Sequence, residues 1–254
     1  MNQNNQPEII LSVITVVYND VTHIEKTLKD IERIKSKHIQ YIVIDGNSND
    51  GTKKILEKYK NIIDLYISES DKGIYYAMNK GLDLAVGKSL IFMNSGDCFY
   101  NGFNPIQTIT KYNYENTVLI GFSIQTYKGD IYLRPDRAHQ DILLKNPAHQ
   151  AFFAPKNKYK IIRFNTKYKI AADYYWIQEI MKNTPTIIIQ DVVASFSLGG
   201  KSTSKLFKDI LQMNKEMRLK YYFFKSIAKF LIFKLLGLKN SFRIIYRNKY
   251  KLLN

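Results

Sequence analysis

Apolar runs alternate along this chain with segments in which apolar residues recur every three or four positions. Residues 9–18 form an almost continuous β-branched run, which is typical of a strand buried on both faces. The next segment places Ile24, Leu28 and Ile31 on one helical face. The same alternation predicts strands at 41–45, 65–68 and 89–94, and helices at 22–34, 52–59 and 74–85. This order predicts an α/β fold with a central, mostly parallel sheet flanked by helices.

Acidic and small polar residues follow the predicted strands where each of them ends. Asn19, Asp45, Asp71 and Asp97 all lie at or just beyond a strand's carboxyl end. Ligands of open parallel sheets bind at that edge. The first half of the chain, residues 9–100, is therefore expected to hold a ligand there.

The pattern changes after about residue 100. Strands are predicted at 118–124 and 131–133 around the turn 128–130, followed by a helix at 171–181 and a strand at 186–193. We assign residues 101–204 to the second half of one domain that spans 1–204. Helices are predicted for 205–220 and 221–236 in a C-terminal extension, 205–254.

The net charge of +16 is concentrated in this extension. Residues 205–254 carry 13 Lys/Arg against 2 Asp/Glu, interleaved with Tyr, Phe, Ile and Leu. Lysines beside apolar side chains indicate a peripheral anchor to the anionic inner face of a membrane. A helical hairpin packed on the core and an aromatic dimer interface are the alternatives. A nucleic-acid partner is not expected, because the acidic strand ends would repel phosphate.

Cysteine usage and hydropathy indicate the compartment. Cys98 is the single cysteine, so no intrachain disulfide is possible and a reducing compartment is expected. No run of about 18 uncharged apolar residues is present, which argues against a spanning helix. The prediction is a cytoplasmic protein, peripheral at the membrane.

Five segments of the first half resemble, in order, the family 2 glycosyltransferases with the GT-A fold. They are 12–19 (SVITVVYN), 44–52 (IDGNSNDGT), 69–75 (ESDKGIY), 77–81 (AMNKG) and 92–97 (FMNSGD). The resemblance covers about residues 9–204. It implies an enzyme that binds a nucleotide-sugar with the first half and an acceptor with residues 101–204. The nucleotide-sugar contacts that it suggests are Thr15, Val17, Asn19, Asp45, Asp71, Lys72, Gly73, Ser95 and Gly96.

Asp45 suits a uracil ring, because a carboxylate accepts the imide N–H of that base. A turn-initiating role before Gly46 is the alternative. The loop 71–73 precedes a helix whose free N–H groups suit a diphosphate. Within it, Lys72 is either a phosphate contact or a solvated lysine.

Asp97 is the candidate metal ligand. In the family, an Asp-x-Asp signature holds a divalent ion against the diphosphate, whereas this chain has Ser95-Gly96-Asp97 and lacks the first acid. One carboxylate, two phosphate oxygens and water can still satisfy Mg²⁺ or Mn²⁺.

Asp173 is the candidate general base, because segment 170–176 resembles the family's Asp-bearing helix start. A base must take the acceptor's proton as its oxygen attacks the anomeric carbon. A base opposite a metal–diphosphate implies inversion. A helix cap is the simpler role for Asp173. Further candidates for acceptor or diphosphate contacts are His149, Gln150, Trp176 and Gly200, and a metal contact is a third alternative for His149.

The sequence therefore predicts an inverting glycosyltransferase that moves a sugar, most simply from a UDP-sugar, to a polysaccharide or lipid-linked acceptor. The alternative is a non-enzymatic membrane- or nucleic-acid-binding module that acts through the basic extension. A nucleotidyltransferase is disfavoured, since segment 19–22 is not a Gly-rich, basic phosphate loop. Neither the donated sugar nor the acceptor can be predicted from these patterns.

Overall fold

The computed structural model describes residues 7–127, 130–134, 144–197, 212 and 251–253. The strands are β1 (Leu11–Val17), β2 (Ile39–Asp45), β3 (Leu65–Ser68), β4 (Ser89–Phe92), β5 (Cys98–Phe99), β6 (Val118–Tyr127), β7 (Asp130–Arg134), β8 (Phe152–Pro155), β9 (Thr186–Ser197) and β10 (Lys251–Leu253). The α-helices are α1 (Ile24–Ile34), α2 (Thr52–Lys58), α3 (Ile74–Leu84), α4 (Pro105–Ile109), α5 (Lys156–Tyr159) and α6 (Ala172–Met181). A 3-10 turn, His149–Ala151, precedes β8.

These strands form one ten-stranded sheet, in which β1, β2, β3 and β4 are parallel. β4, β1, β2 and β3 lie side by side in parallel, as the buried apolar runs predict. Beyond β4 the sheet continues through antiparallel β8, β6, β7 and β10, while β9 pairs with both β5 and β6. The α/β fold is confirmed, and its sheet is mixed because the second half adds mainly antiparallel strands.

Helices cover both faces of the sheet. On one face α3 and α6 bury Met78, Leu82 and Ile180 against Ile14 and other strand residues. On the other face α1, α2 and α4 pack against a second cluster of strand side chains. The amphipathic pattern read from the sequence thus directs α1 and α3 to opposite sides.

Gly81 allows α3 to lie close to β1. A Cβ atom at this position would lie 2.6 Å from Cγ2 of Ile14. The loop 69–73 lies at the carboxyl end of β2, where the Glu69 N–H donates to the Asp45 carbonyl at 3.0 Å.

Several details differ from the sequence predictions. α1 begins at Ile24, because the Thr22 hydroxyl donates to Asp20 Oδ1 and caps no helix. β5, β8, β10, α4 and α5 were not predicted. Nearly all of the basic extension, including most of both helices predicted there, lies outside the described residues. Within the described residues, no helix is long and apolar enough to cross a bilayer.

Candidate active site

The turn 94–97 follows β4 and carries a buried acid of the candidate site. Asp97 Oδ2 accepts hydrogen bonds from the backbone N–H of Asn94 and from Nε2 of Gln150, both at 3.1 Å. The Asp97 N–H donates to the Asn94 carbonyl at 2.9 Å, which closes the turn. Gly96 has φ +90°, a left-handed conformation that glycine adopts without strain. The Ser-Gly-Asp sequence therefore forms a tight turn that points one carboxylate inward.

Burial dominates the electrostatics of Asp97. It raises the pKa of this carboxyl to about 6, against the lowering effects of His149, Gln150 and the Asn94 backbone. The residue is only 8% exposed. Binding of a cation by this carboxylate stays a prediction.

His149 lies between Asp97 and Asp173. Its Nε2 is 4.0 Å from Asp97 Oδ2, and its Nδ1 is 3.4 Å from Asp173 Oδ2. The same Nε2 lies 3.2 Å from Nδ2 of Asn94. Asp97 comes from the first half of the chain, and His149 and Asp173 come from the second. The fold thus brings three separately predicted site residues next to one another.

Asp173 occupies the first turn of α6 and is the most open of these three groups. Its side chain is 32% exposed, compared with 19% for His149 and 11% for Asp97. Oδ1 accepts from the Tyr174 N–H at 2.9 Å and lies 3.3 Å from the Tyr75 hydroxyl. The helix cap is Ala171, so the capping role considered for Asp173 is wrong.

Tyr75 connects α3 to the start of α6. Its hydroxyl donates to the Ile170 carbonyl at 2.6 Å while contacting Asp173 Oδ1. Burial, and then the negative charge of Asp173, raise the pKa of Tyr75, so the phenol stays protonated beside the carboxylate. The sequence contains no signal for this contact, because the two residues are 98 positions apart.

Asp45 is fully buried at the end of β2. Its carboxylate accepts from the Ser48 hydroxyl at 2.5 Å, the Ser48 N–H at 3.1 Å and the Ser68 hydroxyl at 2.6 Å. These bonds tie the turn after β2 to the end of β3, which agrees with the turn-initiating role. Contact between Asp45 and a uracil ring stays a prediction.

Thr15 and Val17 lie on β1, and Asn19 follows the strand's carboxyl end. Thr15 is fully buried and donates to the Met93 carbonyl at 2.5 Å, and Val17 is 6% exposed in the core. Asn19 has φ 47°, and its side chain accepts from the Asn49 N–H at 2.8 Å. Asn19 thus shapes the turn beyond β1, and the nucleotide contacts expected of Thr15, Val17 and Asn19 stay predictions.

The loop before α3 holds a second buried acid. Asp71 Oδ1 lies 2.6 Å from Nζ of Lys80, which also pairs with Glu69. Oδ2 of Asp71 is buried and has no hydrogen-bond partner among the described residues. Lys72 is exposed, and Gly73, with φ 142°, caps α3. A contact between this loop and a diphosphate stays a prediction.

Trp176 and Gly200 are the remaining candidates. Trp176 is 3% exposed, donates to the Ile162 carbonyl at 3.0 Å and stacks on Phe164 with ring centroids 4.6 Å apart. It therefore packs in the core, and the suggested acceptor contact has no support. Gly200 lies outside the described residues. No group of three or more His, Cys, Asp or Glu side chains in the described ranges is arranged to hold a metal ion.

Two further buried polar atoms lie in the turn 94–97, one on Ser95, a candidate from the resemblance, and one on Asn94, which was not predicted. Asn94 Oδ1 and Ser95 Oγ are buried without a hydrogen-bond partner among the described residues. Ser95 was identified only through the resemblance, and Asn94 was missed. Their positions directly before Asp97 are the one signal that could have indicated them.

Comparison with known proteins identifies the family. The family model described as glycosyl transferase family 2 matches residues 12–178, which is more than half of the chain. An uncharacterized glycosyltransferase of Mycobacterium tuberculosis is 27% identical over 222 residues, covering 80% of this chain and 82% of the relative. A PGL/p-HBAD biosynthesis glycosyltransferase of Mycobacterium bovis is 26% identical over 220 residues, covering 80% and 83%.

Solved structures share the fold. The S. aureus protein TarS (residues 1–349), in complex with UDP-GlcNAc, has a TM-score of 0.61 at 18% identity, covering 92% of this chain and 75% of that one. The mannosyltransferase PcManGT from Pyrobaculum calidifontis, in complex with GDP-Man and Mn²⁺, has a TM-score of 0.58 at 17% identity, covering 84% and 65%. This chain belongs to glycosyl transferase family 2 and is a nucleotide-sugar-dependent glycosyltransferase with a GT-A-like fold.

Proposed function

We propose that the chain transfers a sugar, with inversion, from a UDP-sugar to a hydroxyl group of a polysaccharide or lipid-linked acceptor. The observation that carries this proposal is the line from buried Asp97 through His149 to half-exposed Asp173. It provides a cation-binding acid on the inner side and a solvent-accessible carboxylate on the outer side. Family membership decides against the non-enzymatic alternative.

Asp173 acts as the general base. As the acceptor oxygen bonds to the anomeric carbon, its proton moves to the Asp173 carboxylate. The bond from the anomeric carbon to the diphosphate oxygen breaks, and the nucleoside diphosphate leaves with the electron pair. Attack from the face opposite the leaving group inverts the anomeric configuration. The contacts of Asp173 with Tyr75 and His149 hold the carboxylate in place for this step.

The residues around Asp97 fit a divalent cation. The carboxylate is buried, and the neighbouring Asn94 Oδ1 and Ser95 Oγ have no hydrogen-bond partner among the described residues. Such oxygen atoms are the ligands that Mg²⁺ and Mn²⁺ prefer. We propose that Asp97 holds the ion against two phosphate oxygens. When bound, the ion would neutralise charge on the leaving diphosphate.

The donor class rests on Asp45 and on the structural neighbours. UDP-GlcNAc is bound in the TarS complex and GDP-Man in the mannosyltransferase complex. A carboxylate at the end of β2 suits the uracil imide, which favours UDP. Direct contact requires the Asp45 carboxylate to exchange a hydrogen bond from Ser48 or Ser68 for one from the base.

The basic extension places the enzyme at its acceptor. We propose that 205–254 binds the anionic inner face of the cell membrane from the cytoplasm, where a lipid-linked acceptor would be presented. A relative over part of the chain supports a surface-polymer role. The Bacillus subtilis protein named putative teichuronic acid biosynthesis glycosyltransferase TuaG is 35% identical over 91 residues, covering 35% of this chain and 36% of that protein. A homodimer formed through the aromatic extension is the alternative.

A thermal-shift panel of nucleotides and nucleotide-sugars, each with and without Mn²⁺, tests this function. A ligand that binds only the folded state raises the melting temperature. We expect a Mn²⁺-dependent rise with UDP and with one or more UDP-sugars, followed by UDP release when glycan acceptors are added. Equal stabilisation by GDP and GDP-sugars would overturn the donor assignment. No shift with any nucleotide would overturn the proposed reaction.

A further inference from the structure

The two ring nitrogens of His149 face two different carboxylates. Nδ1 is 3.4 Å from Asp173 Oδ2, whereas Nε2 is directed towards Asp97 and Asn94. A neutral imidazole carries its hydrogen on one nitrogen and a lone pair on the other, so these neighbours decide the tautomer.

The neighbours favour a hydrogen on Nδ1. A carboxylate oxygen such as Asp173 Oδ2 only accepts, so the nitrogen facing it is the donor. Nε2 lies 3.2 Å from Nδ2 of Asn94, which is an amide donor. When the ring is neutral and donates from Nδ1 to Asp173, its lone pair is on Nε2, towards the buried turn that carries Asp97.

A histidine that donates from Nδ1 to a carboxylate and carries its lone pair on Nε2 is suited to bind a metal ion. Metal-binding histidines almost always donate their second ring N–H to a carboxylate, a carbonyl or water, which fixes the tautomer and the ring orientation. Asp173 provides that carboxylate for His149. The side chain is 19% exposed, and its contacts with Asp173 and Asn94 orient the ring in the absence of a ligand.

The distance between Nε2 and the Asp97 carboxylate agrees with two ligands of one ion. Two atoms each about 2.1 Å from an ion are about 3.0 Å apart at a right angle and about 4.2 Å apart when opposite. Nε2 and Asp97 Oδ2 are 4.0 Å apart. The buried Asn94 Oδ1 lies on the amide that now faces Nε2, and a turn of that amide would bring a further oxygen towards the ion.

We propose that His149, through Nε2, is the second protein ligand of the divalent ion and replaces the acid that Ser95-Gly96-Asp97 lacks. This inference rests on the proposed function, since the ion is the one held against the donor diphosphate. Imidazole is a better ligand for transition metals than for Mg²⁺, so the site prefers Mn²⁺. Asp173 then has two tasks, because it orients His149 and accepts the acceptor proton.

The test measures Mn²⁺ affinity by electron paramagnetic resonance in the presence of saturating UDP, which requires no acceptor. We expect His149→Ala to weaken Mn²⁺ binding roughly 10- to 100-fold or more. His149→Glu, which returns a carboxylate ligand, should bind Mn²⁺ at least about tenfold tighter than His149→Ala and lose much of the preference over Mg²⁺. His38→Ala, at a histidine distant from the turn, is the matched control and should bind as the unmodified protein does.

The opposite order of the two variants overturns the inference. If His149 instead met the diphosphate as a cation, the negative charge of His149→Glu would weaken Mn²⁺–UDP binding more than alanine does. A normal Mn²⁺ affinity in His149→Ala, together with a loss in Asp97→Ala, would remove His149 from the ion and leave the proposed function intact. Failure of the unmodified protein to bind any nucleotide with Mn²⁺ would overturn both this inference and the proposed function.

A measurement on the unmodified protein covers the case in which the variants fold poorly. Protein labelled with ¹⁵N-histidine is compared with unlabelled protein by electron spin echo envelope modulation of the Mn²⁺–UDP complex. We expect a nitrogen coupling that changes with the label. A spectrum without a histidine coupling would overturn the inference whatever the variants show.

Discussion

The hydroxyl of Thr27 accepts a hydrogen bond from the backbone N–H of Gly96 at 2.9 Å and donates one to the Asp97 carbonyl at 2.8 Å. Thr27 is fully buried on α1, so a residue of the first helix holds the turn that carries the proposed metal ligand. The turn is thus fixed on one side by Thr27 and on the other by Gln150. Its geometry depends on both halves of the chain.

Removal of the Thr27 hydroxyl should loosen this turn. Thr27→Val keeps the shape of the side chain but leaves the Gly96 N–H unpaired, a cost of about 1–3 kcal/mol for a buried donor. We expect a lower free energy of unfolding and weaker Mn²⁺-dependent UDP binding, measured by denaturant titration and calorimetry. Thr27→Ser retains the hydroxyl and should keep the Mn²⁺–UDP affinity. Equal affinities in the valine and serine variants would show that the turn does not need this contact.

Asp97 should make the stability of the metal-free protein depend on pH. Its pKa is raised to about 6 in the folded protein, above the ordinary value of 3.8, so the folded state binds the proton more tightly. The resulting stabilisation is fully present below pH 3.8 and is lost as the pH rises through 6.

Denaturant unfolding in EDTA at several pH values between 4 and 7.5 measures this effect. The side chain introduced by Asp97→Asn is neutral throughout and can accept the same hydrogen bonds. As the pH rises, the free energy of unfolding of this variant should therefore increase relative to that of the unmodified protein. A constant difference in the free energy of unfolding between the two proteins would contradict the raised pKa.

Asp173→Asn should separate donor binding from chemistry. The amide oxygen can still accept from His149 Nδ1, so UDP affinity with Mn²⁺ should stay within a few-fold. Transfer should fall by about 10²- to 10⁴-fold, because only the transition state needs the base. The measurement is acceptor-dependent UDP release beside calorimetric UDP binding. Glu179→Gln, an exposed acid on the same helix, is the control, and an Asp173→Asn protein with normal transfer would refute the assigned base.

The basic extension should bind anionic vesicles through its lysines. Changing Lys225 and Lys229 to glutamine removes two charges at about 1 kcal/mol each near an anionic surface. We expect an affinity loss of about tenfold or more in vesicle sedimentation, greater at low salt. The same change at Lys53 and Lys54 on α2 is the control. Unchanged sedimentation would favour the dimer, which light scattering would then detect.

The parallel half of the fold could be predicted because its strands are buried on both faces. The run that becomes β1 is apolar at almost every position, and only a central strand has that requirement. β8 could not be predicted in the same way. Its four residues are stabilised by the pairing of Leu90 with Ala154 and of Ile120 with Phe152, which depends on partners far away in the chain.

The placement of candidate residues was predictable where it follows from a residue's position in an element, whereas their roles stay predictions. Asp97 follows the end of a strand, and Asp173 lies in the first turn of a helix. Both positions can be predicted from the pattern of apolar residues. Burial is harder to predict. Asp45 also ends a strand, yet Ser48 and Ser68 enclose its carboxylate, and Trp176 is covered by Phe164. Such contacts depend on the packing of distant segments, which periodicity does not describe.

The pairing of β8 with β4 has a consequence for engineering. Because β8, from residues 101–204, is hydrogen-bonded directly beside β4, from residues 9–100, these two segments cannot be exchanged as independent modules. A chimera that imports residues 101–204 from a relative would have to reproduce the Ser89–Pro155 and Leu90–Ala154 register and also the contact of Gln150 with Asp97. Grafting individual surface loops is the more promising way to redirect this enzyme to a new acceptor.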